Sequence, residues 1–149
     1  MILYRKGKIT YINKNFITFD TYATGYSVYV ADANRFNVSA PEDKNITLYW
    51  YEDDQRVCGF KDYKERLLFI DLISIKNIGV KTAMVILEQG WEKIANYIAK
   101  KDIKTLSSIQ YIDEKTASLI CLELSSKWSN ILKNSATNGE VFNEAKIFQ

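Results

Sequence analysis

Histidine is absent from this chain of 149 residues, and cysteine occurs only twice, at Cys58 and Cys121. Without histidine and with two distant thiols, the usual zinc ligand sets are excluded, as are Ser/His and Cys/His nucleophilic pairs. Both cysteines lie in apolar surroundings and are expected to be reduced and buried. Proline is nearly absent (Pro41 alone) and there are six glycines, against ten Tyr, seven Phe and three Trp. Such a composition excludes low-complexity and disordered classes and leaves enough apolar mass for one domain or two small ones. No apolar run reaches the ~18 residues of a membrane span. The opening residues 1–11 carry no signal-peptide pattern, so a cytoplasmic location is expected. No Gly-rich loop with Lys and Ser/Thr is present, so the chain is not expected to hydrolyse ATP or to hold a cofactor.

Net charge is also scarce, at +2 overall. Residues 1–62 hold eight Lys/Arg and eight Asp/Glu, residues 63–130 hold ten and eight, and residues 131–149 hold two and two. The small basic excess therefore sits in the middle segment, which agrees with nucleic-acid binding without establishing it.

That segment contains the most informative stretch, Leu72 to Leu87, reading LISIKNIGVKTAMVIL. An apolar run enters a tight Asn77-Ile78-Gly79 turn, and a second apolar helical pattern follows. This is the layout of a helix-hairpin-helix. The free N–H groups at the start of the second helix, with the positive end of its dipole, make an anion site. The backbone at Asn77, Ile78, Gly79, Val80 and Lys81, helped by the Lys76 and Lys81 side chains, is expected to hold phosphates of a nucleic-acid backbone without reading sequence.

Residues 1–62 read as short strands: Ile2 to Ile12, Phe16 to Ala23, Tyr26 to Val30, Ile46 to Tyr51 and Arg56 to Phe60. Asn13-Lys14-Asn15 suits a hairpin turn, and Gly25 marks a turn or bulge. Five short strands in this length suggest a closed OB-fold barrel, with an SH3-like barrel also open on pattern alone. Tyr49, Trp50 and Tyr51 suit barrel packing or a subunit interface better than base stacking. From Asp62 the period turns helical, with Tyr63, Leu67, Ile70 and Ser74 as one stripe and Leu68 and Leu72 as its neighbour. Further helices are expected to Glu88, from Trp91 to Ala99, in a turn capped by Asp102, and from Asp113 to Trp128. Residues 131–149 read as a flexible linker or tail.

The hairpin pattern recurs loosely at Leu106 to Ala117. Ile-x-x-Lys-Thr-Ala occurs at 78–83 and again at 112–117. The turn positions differ, since Tyr111 and Asp113 stand where Asn77 and Gly79 stand in the first copy. Asn and Gly accept positive φ readily, whereas Tyr does so only with strain, so the second turn is expected to be reshaped. Asp113 would itself cap the helix and put negative charge where a phosphate should lie. Lys115 remains as a secondary candidate, in a hairpin expected to serve mainly as packing.

In order along residues 1–130, the chain resembles the RuvA family. The resemblance rests on Met1-Ile2 with Lys6-Gly7, Gly25-Tyr26, Gly59-Phe60 before a Lys/Glu/Arg helix, Lys81-Thr82-Ala83 and Lys115-Thr116-Ala117. It implies an α+β protein with an OB-fold barrel (1–62) and tandem helix-hairpin-helix motifs (63–130). It also implies a homotetramer or doubled tetramer on four-way junction DNA, within a branch-migration complex of recombination and repair. An acidic pin is implied in the loop joining the last two strands, at Glu52 and Asp53, where four copies would repel phosphates at the centre. The RuvB motor binds such proteins through a further C-terminal domain. Residues 131–149 would reach only its linker, so the chain as given is not expected to recruit the motor.

Two other functions stand beside that of a non-catalytic DNA-binding subunit. Glu52, Asp53 and Asp54 could hold Mg²⁺ in a junction nuclease, although alternate strand residues face opposite ways and no distant carboxylate completes the set. An oligomeric scaffold with a decayed DNA site fits the altered second turn. Lys100, Lys101 and Lys104 are expected to be a solvated helix end.

Overall fold

The computed structural model describes residues 1–138. The chain divides into two compact units, Met1–Ile70 and Asp71–Gln149.

The first unit is built on five strands: β1 (Tyr4–Asn13), β2 (Phe16–Thr21), β3 (Thr24–Tyr29), β4 (Ile46–Glu52) and β5 (Val57–Phe60). They close in the order β1-β2-β3-β5-β4. The β3–β5 pairing is parallel and all the others are antiparallel. That closure is the five-stranded OB arrangement, which removes the SH3-like alternative. Period-2 alternation places Ile17 and Phe19 inside with Ile9, Val28, Leu48 and Trp50. Each such side chain contributes roughly 1.5–3 kcal/mol by leaving water. Tyr49 and Trp50 are fully buried, so this aromatic run packs the barrel rather than meeting bases. Gly7 lets β1 cross tightly over β2, because a Cβ there would lie 2.1 Å from the Asp20 carbonyl oxygen.

The second turn lies elsewhere than expected. Thr21 pairs with Thr24, and Tyr22 and Ala23 form a two-residue turn with φ of 49° and 62°. Gly25 is an ordinary strand residue opposite Asp20. Neither Tyr nor Ala signals such a turn, whereas the glycine two residues on does. A short 3-10 turn at Ala33–Arg35, capped by Asp32, was also unsignalled.

The helices are α1 (Tyr63–Ile73), α2 (Val80–Leu87), α3 (Trp91–Ala99), α4 (Ile103–Ser107) and α5 (Glu114–Asn138). Of the two stripes expected on α1, Leu68 and Leu72 are buried, together with Phe69, whereas Tyr63, Leu67 and Ile70 are half-buried and Ser74 is exposed. Glu65 is buried on that face as well. Arg35 pairs with it at 2.9 Å and the Lys61 N–H donates to it at 3.2 Å. Burial raises its pKa despite the neighbouring Arg35. Such a pair breaks the apolar periodicity, which is why the stripe was misplaced.

In the second unit α5 packs against α3 and α4. The Asp71 carboxylate accepts the Trp128 indole N–H at 2.8 Å and pairs with Lys127 at 2.9 Å, fixing the end of α1 to α5. Both cysteines are buried and unpaired, and burial pushes the Cys58 thiol up to about 12. The last helix runs to Asn138, well past Trp128, with Ile131 and Leu132 half-buried. No helix breaker precedes Gly139, so part of the expected tail continues the helix. Residues 139–149 of that tail lie outside the described residues.

Candidate nucleic-acid interface

The two hairpin turns have the same backbone. In the first, Ile75 N–H donates to the Leu72 carbonyl, Ile78 N–H to Ile75 and Ala83 N–H to Gly79. In the second, Ile109 N–H donates to Leu106, Ile112 N–H to Ile109 and Ala117 N–H to Asp113. Leu72, Ile75 and Ile78, and likewise Leu106 and Ile112, are buried and anchor each turn. Asn77 has φ of 74° and Tyr111 has φ of 73°. The expectation that Tyr would reshape the second turn is therefore wrong. The buried leucine and isoleucine anchors hold the bend, and Tyr111, 60% exposed, takes the left-handed strain, about 1–2 kcal/mol.

The turns differ in what meets the helix start. At the first, Gly79 precedes α2 with φ of −94° and no side chain caps the helix. The Val80, Lys81 and Thr82 N–H groups precede the first intrahelical bond and point out of the helix start. Gly79 can accept positive φ, but its φ here does not call on that freedom. A Cβ there would meet nothing within 4 Å, so the main chain is open to close approach. Lys76, Asn77, Gly79 and Lys81 are exposed and Val80 is half-buried. Ile78 is 4% exposed and its N–H is spent on Ile75. It anchors the turn and drops out as an anion donor. The Thr82 N–H, which the sequence did not single out although Lys-Thr-Ala is shared by both turns, precedes that first bond and has no backbone partner.

At the second turn the Asp113 carboxylate accepts the Thr116 N–H at 2.7 Å. Bonds from the Thr116 side chain and backbone hold its pKa below the usual carboxylate range. It therefore stays charged at neutral pH, and its capping contribution is lost only as pH falls through that lowered value. Lys115 is exposed beside it, next to Glu114. Replacing Asp113 with Gly is expected to open this helix start and raise duplex affinity at low salt by about three- to tenfold. Unchanged affinity would show that the second turn does not face DNA.

Glu52 ends β4 and Asp53 begins the turn into β5. Asp53 Oδ1 accepts the N–H groups of Gln55 and Arg56 at 2.8 and 2.9 Å, and Glu52 accepts the buried Trp50 indole N–H at 3.0 Å. Both residues are exposed, as is Asp54. The tip is thus a fixed acidic knob, with two carboxylates already oriented by the protein.

Residues 69–126 match the family of SAM-like helix-hairpin-helix tandems. Among known proteins, the chain is 48% identical over 136 residues to the Holliday junction branch migration complex subunit RuvA of Mycoplasmopsis synoviae, covering 90% of this chain and 68% of that protein. The protein of the same name from Mesomycoplasma hyopneumoniae is 38% identical, over 97% of this chain and 65% of its own length. That from Streptococcus agalactiae serotype V is 34% identical, over 95% and 74%. The barrel, the paired turns and these relatives together place the chain in the RuvA family.

Proposed function

We propose that this chain binds four-way DNA junctions through their sugar-phosphate backbone, without reading sequence, as a subunit of a branch-migration complex. The observation that carries it is the uncapped start of α2 at Gly79, in a family whose members are named for that complex. A phosphate seated there accepts the Val80, Lys81 and Thr82 N–H groups. It lies at the positive end of the helix dipole, and Lys81 and Lys76 add charge from either side of the turn. Lys115 contributes less, because Asp113 occupies the corresponding position in the second turn.

The acidic tip supplies shape selection. With four copies around a junction, or eight on its two faces, the Glu52 and Asp53 carboxylates converge on the crossover. They repel phosphates there over about one Debye length, 8–10 Å. The arms are then held open, and the open helix starts grip their phosphates. The chain itself is non-catalytic, and a separate motor protein supplies the ATPase. A metal-dependent nuclease is disfavoured because Asp53 is committed to its turn and Glu52 to Trp50. The capped second turn favours a scaffold role for that hairpin alone.

A gel-shift comparison of a four-way junction with linear duplex tests this. The junction is expected to bind tighter at every salt concentration, with log affinity falling linearly in log salt by about 0.9 per phosphate engaged. Equal affinity for the two DNAs would overturn it.

A further inference from the structure

We infer that the second unit carries an oxyanion site, a cleft between the end of α3 and the middle of α5 that takes a phosphate group from solution. The cleft is separate from both hairpin turns, and Ser125 within it lies about 17 Å along α5 from the helix start at Glu114.

The cleft has a volume of about 290 Å³ and is lined by Ala99 and Lys101 at the end of α3 and by Ser125, Ser126, Ser129 and Asn130 of α5. That size stands at the lower end of small-ligand sites, which begin at about 300 Å³. Ser125 and Ser129 are one helical turn apart, and so are Ser126 and Asn130, so the four make one polar face. Ser125 is only 7% exposed, and it borders the cleft. Its hydroxyl has no hydrogen-bond partner among the described residues. Ser107 and Ser108 show the usual alternative, each donating to the carbonyl three residues back. A buried hydroxyl without such a bond, bordering a cleft, is a donor for what enters it.

Lys101 sets the sign of the occupant. Its neighbour Asp102 is spent on Thr105, whose N–H and hydroxyl it accepts at 3.1 and 2.7 Å. Burial and Asp102 raise the pKa of the Cys121 thiol and Lys101 opposes them, so the lysine charge reaches α5 one turn before Ser125. The backbone holds this lysine under strain. At the end of α3 the Lys101 N–H donates to the Ile98 carbonyl at 3.0 Å and the Asp102 N–H to Tyr97 at 2.9 Å. This ending places glycine at its left-handed position, yet Lys101 occupies it with φ of 56°. Strain of this kind marks a side chain with a task. Lys100 and Lys101 also offset the negative pole of α3, which opens on the same cleft. Three hydroxyls, an amide and an ammonium group together match the several oxygens of a phosphate better than the two of a carboxylate.

An amide NMR titration of the whole chain tests the site, with inorganic phosphate in one arm, adenosine monophosphate in the other, and chloride holding the ionic strength constant. Saturable shifts are expected at Lys101, Ser125, Ser126 and Ser129. The arm that saturates first tells a free phosphate from one carried on a small molecule, and saturation in either supports the site. Shifts at Val80 to Thr82 report the separate anion site at α2 and are read independently. Lys101→Gly and Ser125→Ala are each expected to bind about tenfold more weakly or worse, since each loses a hydrogen bond to a charged group. Lys101→Gly also relieves the left-handed strain, so without phosphate it is expected to melt higher than the native chain, and its lost binding cannot be lost folding. Shifts at the cleft that never saturate would mean an adventitious ion only and would overturn the site. Native affinity in Lys101→Gly would overturn it too. Shifts at these residues with duplex DNA, and none with phosphate or nucleotide, would assign the cleft to the DNA backbone and would likewise overturn it.

Discussion

Replacing Gly79 with aspartate is expected to weaken junction binding by about 10- to 100-fold while leaving the fold as stable as before. The molecule already contains the outcome of this substitution in its second hairpin. There the aspartate at the same position accepts the Thr116 N–H and stays charged. At the first hairpin the new carboxylate would take the Thr82 N–H and set a negative charge against the phosphate. Losing hydrogen bonds to a charged group costs about 1.5–3 kcal/mol, which gives the range of affinity loss. Room is available, since a Cβ at Gly79 meets nothing within 4 Å and its φ of −94° suits any residue. Capping by Asp adds a few tenths of a kcal/mol over Gly, so the melting temperature holds or rises slightly. Anisotropy titration beside thermal unfolding reads both quantities. A melting temperature unchanged together with native affinity would show that α2 does not present its amides to DNA.

The second large effect concerns selectivity. The double variant Glu52→Gln, Asp53→Asn removes two negative charges per copy. Both replacements keep a side-chain oxygen, so the Trp50 indole and the Gln55 and Arg56 N–H groups retain their acceptors. The tip keeps its shape and loses its repulsion. At about 8 Å with solvent screening, each carboxylate–phosphate pair is worth about 0.5 kcal/mol. Linear duplex affinity is therefore expected to rise about fivefold per copy, and the junction-to-duplex ratio to fall by a similar factor. Competition binding with both DNAs measures the ratio. An unchanged ratio would mean the acidic tip lies away from the crossover.

Much of the architecture was legible because two periods dominate the chain. Alternation at Ile17 and Phe19 and helical spacing at Ala83, Ile86 and Leu87 report burial directly. Capping residues reported the helix starts at Asp102 and Asp113. What the sequence hid was geometry imposed from elsewhere. Tyr22, Ala23 and Tyr111 all sit at positive φ without being turn formers, because pairing or buried anchors on each side force the bend. Glu65 hid in a core face because Arg35 accompanies it from a distant loop. At the candidate site, pattern located the turn, but it could not tell which amides were already spent. Only the bond from Ile78 to Ile75 shows that the Ile78 amide is spent, and only the φ of −94° shows that Gly79 does not supply a left-handed turn.

Amide hydrogen exchange of the whole chain, with and without a four-way junction at low salt, probes the phosphate grip most directly. The Val80, Lys81 and Thr82 amides are expected to slow about tenfold or more on binding, while those of Lys115 and Thr116 change little. Unaltered exchange at Val80 to Thr82 in a junction-saturated sample would contradict the grip at α2.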